Sequence, residues 1–137
     1  MNVAIISEAE TDEQVVRIFA EAVLGQGLDL HRPPVRRRHY GWGAVVPTVE
    51  ITIRHAYLRN TRLDGVIAVM DSDRTVFDPP TSSNCRLRMM HEAIDPLLAE
   101  LNRRELRPPL RLALGLAVPA LEAWLRCGVD DHVNEAT

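Results

Sequence analysis

Two aspartates, Asp71 and Asp73, stand one residue apart directly after the apolar run Val66 to Met70. Like charges at that spacing repel, and the pairing makes chemical sense when a hard divalent cation such as Mg²⁺ or Mn²⁺ joins their oxygens. Acid groups also follow two other apolar runs: Glu8 and Asp12 come after Val3 to Ile6, and Glu122 comes after Leu110 to Val118. If those runs are strands of one sheet, the carboxylates share a cleft able to hold one or two such ions. A site of that kind expects phosphate oxygen as its substrate. Arg74, next to the acidic pair, could then neutralise the reacting phosphate. Arg36, Arg37 and Arg38, the densest basic run in the chain, could hold a phosphate backbone, with Tyr40 and Trp42 beside them as stacking surfaces.

Such a site needs strands that end together. Val66 to Met70 is continuously apolar and partly β-branched, the pattern of a strand covered on both faces, and in an open α/β sheet ligands bind beyond the carboxyl ends of the strands. Val3 to Ile6 has the same character. After the polar turn Ser7 to Asp12, the stripe Val15, Val16, Phe19, Ala20 and Val23 predicts a helix over Asp12 to Leu24, capped by Thr11 and stopped at Gly25. Gly27 to Gly43 reads as a loop holding one short strand within Val35 to Tyr40. A helix from about Ala44 to Arg59 follows, with Pro47 in its first turn. Beyond a loop over Thr75 to Ser83, a helix capped by Ser82 or Ser83 runs to about Glu105 on the stripe Leu87, Met90, Ile94, Leu97, Leu98 and Leu101, kinked or broken at Pro96. Leu110 to Val118 is a fourth strand, and Pro119 opens a last helix that ends at Gly128. Strand and helix thus alternate, which predicts an α/β three-layer sandwich with a mostly parallel four-stranded central sheet.

A chain of 137 residues, 46% of them hydrophobic, suits a single domain with one core, over residues 1–128, followed by a polar tail over 129–137. That tail suggests a fragment or a loose end. All sixteen basic residues are arginine, which excludes Schiff-base lysines, the Walker lysine and the lysine of a receiver-type phosphorylation site. Cys85 and Cys127 lack the spacing of a zinc site or a disulfide framework. With no basic, apolar leader and no span of roughly 18 apolar residues, a soluble cytoplasmic chain away from membranes is expected.

The segment Ile5-Ile6-Ser7-Glu8-Ala9-Glu10-Thr11-Asp12 resembles the strand-then-glutamate motif of TOPRIM domains, and Val69-Met70-Asp71-Ser72-Asp73 resembles their aspartate-x-aspartate motif. Leu116 to Leu125, with Glu122 and Trp124, is similar to a segment of small bacterial TOPRIM-like proteins related to the OLD (overcoming lysogenisation defect) nucleases. The resemblance implies a TOPRIM/Rossmann-like fold and Mg²⁺- or Mn²⁺-dependent phosphodiester hydrolysis of nucleic acid. Glu8 would be both acid/base and metal ligand, with Asp71 and Asp73 as metal ligands, Asp12 on a second ion and Glu122 as a further ligand. It also implies a role in phage defence with a separate ATPase; nucleic acid and a second copy of the chain complete the expected partners. Ala9 stands where the family usually has glycine.

Two other functions compete. A catalytically weak TOPRIM-like interaction subunit fits Ala9 and the modest basic charge. Asp71-Ser72-Asp73-Arg74-Thr75 also matches the nucleophile motif of HAD-type phosphatases, in which Asp71 would attack phosphorus, although that motif normally follows a first strand and is joined by a lysine. Blander readings exist for single groups: an Asx turn for Asp71 and Asp73, first-turn helix charges for Glu10, Asp12 and Glu13, and a solvated edge for Arg36 to Arg38.

Overall fold

β-branched and aliphatic runs suit strands covered on both faces, and Val3 to Ile6 and Val66 to Met70 are used in that way, whereas Leu112 to Leu116 stay half-buried or exposed. The computed structural model describes residues 1–34, 41–73, 84–104, 109–118 and 120–121. Over these the order is β1 (Asn2–Ile6), α1 (Glu10–Leu24), β2 (Asp29–Leu30), α2 (Trp42–Leu58), β3 (Gly65–Asp71), α3 (Arg86–Asn102) and β4 (Arg111–Ala117). The four strands form one parallel sheet in the order β2-β1-β3-β4. Ile5 pairs with Ile67, Ile6 with Ala68 and Asp71 with Ala117, so β1, β3 and β4 finish close to one rim.

Alternation along the strands divides the core in two. Ala4, Ile6, Val66, Ala68 and Met70 pack against Val45, Val49, Ile53 and Ala56 of α2 and Met90, Ile94, Leu97 and Leu101 of α3. Val3 and Ile5, with Ile67 and Val69 beside them, pack on the other face against Val16 of α1, Leu28, Ala117 and Leu121. The result is the expected α/β architecture of three layers, with, among the described residues, one helix on one face and two on the other. Tyr57 donates its hydroxyl to Asn102 and so ties α2 to α3.

Several local expectations shift. α1 begins at Glu10 with Ala9 at its N-cap, and Asp12 supplies the cap by accepting the Ala9 N–H at 3.1 Å, where Thr11 was the expected cap. The short strand between α1 and α2 is Asp29–Leu30, bonded to β1 through Asn2↔Asp29 and Val3↔Leu30. The expected strand within 35–40 lies outside the described residues. Helix α2 starts two residues earlier than expected, and Pro47 falls beyond its first turn. α3 runs through Pro96 as one helix. Both prolines are exposed, so water can meet the carbonyl that each leaves without a helical partner, while the buried stripe of each helix holds it to the sheet. The last predicted helix and the tail over 129–137 lie outside the described residues.

Candidate functional site

The strand order reverses its direction of growth at the centre of the sheet: β1 leads through α1 to β2 on one side, while β3 and β4 extend on the other. In doubly wound sheets the loops leaving the carboxyl ends at such a point diverge and open a crevice for ligands. Glu8 follows β1 and Asp71 ends β3, so both stand at this point.

The Asp71 N–H donates to Glu8 Oε1 at 3.0 Å, joining two parts of the chain that are 63 residues apart. Asp71 turns its own carboxylate to the start of the last described segment, where Oδ1 accepts the Leu121 N–H at 2.9 Å. This long-range bond differs from the local Asx turn considered for the pair. Ser72 is buried, its N–H bonded to Ala117 O at 2.8 Å, and this fixes the turn off β3. Asp73 follows with φ at 45°, a left-handed conformation that aspartate tolerates better than most residues. On the β1 side, Ser7 is buried and donates its hydroxyl to Ala9 O at 2.9 Å, and Gly41 N–H donates to Glu8 O at 3.0 Å. The start of α2 thereby closes against the loop that carries Glu8.

A cation not anticipated as part of this site completes it. Arg86, the first residue of α3, places Nη1 3.4 Å from Glu8 Oε1 and 3.0 Å from Asp73 Oδ2, and donates to Asp71 O as well. Its guanidinium carbon lies 5.1 Å from the centroid of the Trp42 ring, a cation–π arrangement. The expectation for Trp42 was base stacking or core cover; instead its half-exposed ring supports this arginine. In the sequence, Arg86 stands beside Arg88 at the head of an amphipathic helix, where an arginine is ordinarily solvated. Its burial depends on the head of α3 reaching the ends of β1 and β3, where Arg86 meets Glu8 and the Asp71 carbonyl, and no local pattern encodes that.

Burial is the largest influence on Glu8 and lifts its carboxyl above the ordinary glutamate value. The Asp71 N–H and Arg86 oppose that lift, and the negative charges of Asp73 and Asp12 reinforce it. Asp12 sits in the first turn of α1, where its carboxylate accepts the Ala9 N–H. Glu122, Arg36, Arg37, Arg38 and Arg74 lie outside the described residues.

The donors fit a divalent cation in kind: they are hard carboxylate oxygens, gathered at one rim and outnumbering the one guanidinium among them. Among the described residues, however, no group of three or more Asp, Glu, His or Cys side chains is placed to hold one ion. Arg86 supplies the positive charge between Glu8 and Asp73. Ala9 has φ −139° and ψ 159°, extended backbone open to any residue, so the position does not require glycine. Among the described residues no helix is long and apolar enough to cross a membrane. Comparison with protein-family models, curated proteins and solved structures finds no match.

Proposed function

We propose that the chain is a TOPRIM-like domain that hydrolyses phosphodiester bonds of nucleic acid with Mg²⁺ or Mn²⁺ held by Glu8, Asp71 and Asp73. The observation that carries this reading is the meeting of Glu8 with the end of β3, through the 3.0 Å bond from the Asp71 N–H, at the point where a parallel sheet opens its ligand crevice. When bound, the ion would offset charge on the phosphate and lower the pKa of a coordinated water.

The chain's own residues do the rest. Glu8, with its carboxyl raised by burial, is suited to accept and return a proton closer to neutrality than a surface glutamate would be. Its orientation comes from the Asp71 amide, and that of Asp71 comes from the Leu121 amide. Asp12 and Glu122 are the further ligands in this reading, and Arg36, Arg37, Arg38 and Arg74 contact phosphates. The setting is the cytoplasm, with a separate ATPase as partner in defence against phage.

Cleavage of labelled DNA and RNA in Mg²⁺ or Mn²⁺ tests the proposal. The wild type is expected to cut, and Glu8→Gln and Asp73→Asn to lose roughly 10²-fold or more in rate, as removal of an acid/base or ion-binding group does. Absence of cleavage by the wild type with either ion overturns the nuclease and favours the second reading, a catalytically weak interaction subunit. One observation speaks for that alternative: the charges of Glu8 and Asp73 are already met inside the protein by Arg86.

A further inference from the structure

Arg86 is an unusual component of an acidic rim. Its side chain is only 8% exposed, and a single nitrogen, Nη1, serves Glu8, Asp73 and the Asp71 carbonyl together. Nε is buried and has no hydrogen-bond partner among the described residues. Among the described residues its charge contacts thus run through one corner of the planar fork of donors. Here the guanidinium is held by charge on one side and by the half-exposed Trp42 ring at 5.1 Å on the other. Those are contacts a competing cation can replace.

Two cations on the same few carboxylate oxygens repel each other, most strongly beside Glu8 and Arg86, whose side chains are only 17% and 8% exposed and so are weakly screened. We infer that Arg86 is the resident counter-ion of this site, and that the guanidinium and a divalent metal are its alternative occupants. Metal enters as Nη1 releases Glu8 and Asp73. The inference rests on the metal reading above and adds a regulation to it: apparent metal affinity is the intrinsic affinity reduced by the fraction of molecules in which Arg86 has let go. Trp42 sets that fraction by holding the arginine in place. Any event that draws Arg86 away, including approach of a phosphate that its fork can bind, raises the affinity for metal at the same time.

The test is Mn²⁺ binding, read by the electron paramagnetic resonance of free Mn²⁺ together with the shift of Tm on adding Mn²⁺. It compares wild type, Arg86→Met and Trp42→Ala, each checked for native circular dichroism. Arg86→Met keeps the length of the side chain and removes its charge; it is expected to bind Mn²⁺ about tenfold more tightly or better and to gain more in Tm from the ion than wild type does. Trp42→Ala is expected to tighten binding in the same direction by a smaller factor. Equal or weaker binding by a folded Arg86→Met overturns the exchange and leaves the metal reading standing. If Arg86→Met does not fold, unchanged affinity in Trp42→Ala overturns it. Absence of Mn²⁺ binding in all three overturns the metal reading, and the exchange falls with it.

Discussion

Ionised Glu8 has given up much of its water for one amide and one distant guanidinium contact, and that leaves a mark on stability. Its folded pKa is raised, so the stability it contributes is fully present below the ordinary glutamate value and is lost as pH rises through the raised one. Glu8→Gln, which cannot ionise, is therefore expected to gain stability relative to wild type as pH rises past the ordinary glutamate value. Urea denaturation at a series of pH values checks this. His31 has the opposite sign: burial chiefly, and His55 secondarily, lower its pKa. Its contribution is complete above about pH 6.5 and is lost as pH falls through the depressed folded value. His31→Gln is expected to flatten that part of the same curve. Glu8, Asp71 and Asp73 were legible in the sequence because carboxylates directly after apolar runs mark strand ends. Arg86 was not legible, because only its long-range meeting with Glu8, Asp73 and the Asp71 carbonyl distinguishes it from a solvated helix residue.

Helix ends depend on backbone conformations that a few residues supply. Gly25 closes α1 at φ 64°, with open space around the position of a Cβ, so alanine there meets conformational strain alone. Gly25→Ala is expected to lower the unfolding free energy by roughly 0.5–1 kcal/mol. Gly27→Ala, two residues on, also meets open space and serves as a control that is expected to stay within about 0.5 kcal/mol of wild type in the same chemical denaturation. The longer elements were readable: the apolar stripes of α1 and α3 gave helices, a helix was expected over most of α2, and compact runs gave β1, β3 and β4. The sequence hid β2, where Asp29–Leu30 is two exposed residues with no apolar pattern and pairs only because β1 offers it an edge. Of the two outcomes expected at Pro96, a kink or a break, the break does not occur: a proline's local penalty is visible in a sequence, and the tertiary packing of Met90, Ile94, Leu97 and Leu101 that holds the helix together is not.

At the scale of the whole molecule, most of the core formed by the described residues lies between the sheet and the α2–α3 layer. Ile53, fully buried there, is expected to cost about 2–5 kcal/mol when cut back to alanine. Ile51, 42% exposed on the same helix, is expected to cost less than about 0.5 kcal/mol, and thermal unfolding of the two variants reads the difference. The layered α/β class followed from alternation of strand and helix patterns; the order of strands did not, because it depends on which edges remain open as each crossover returns. That order has a consequence in time. β1 is synthesised first, yet its long partner is β3, whose paired residues begin 62 positions later at Gly65. Until β3 has left the ribosome, Val3 to Ile6 have little but the two-residue β2 to pair with. Nascent chains stalled before Gly65 are expected to be open to chaperones and proteases, and chains stalled after β4 to be protected.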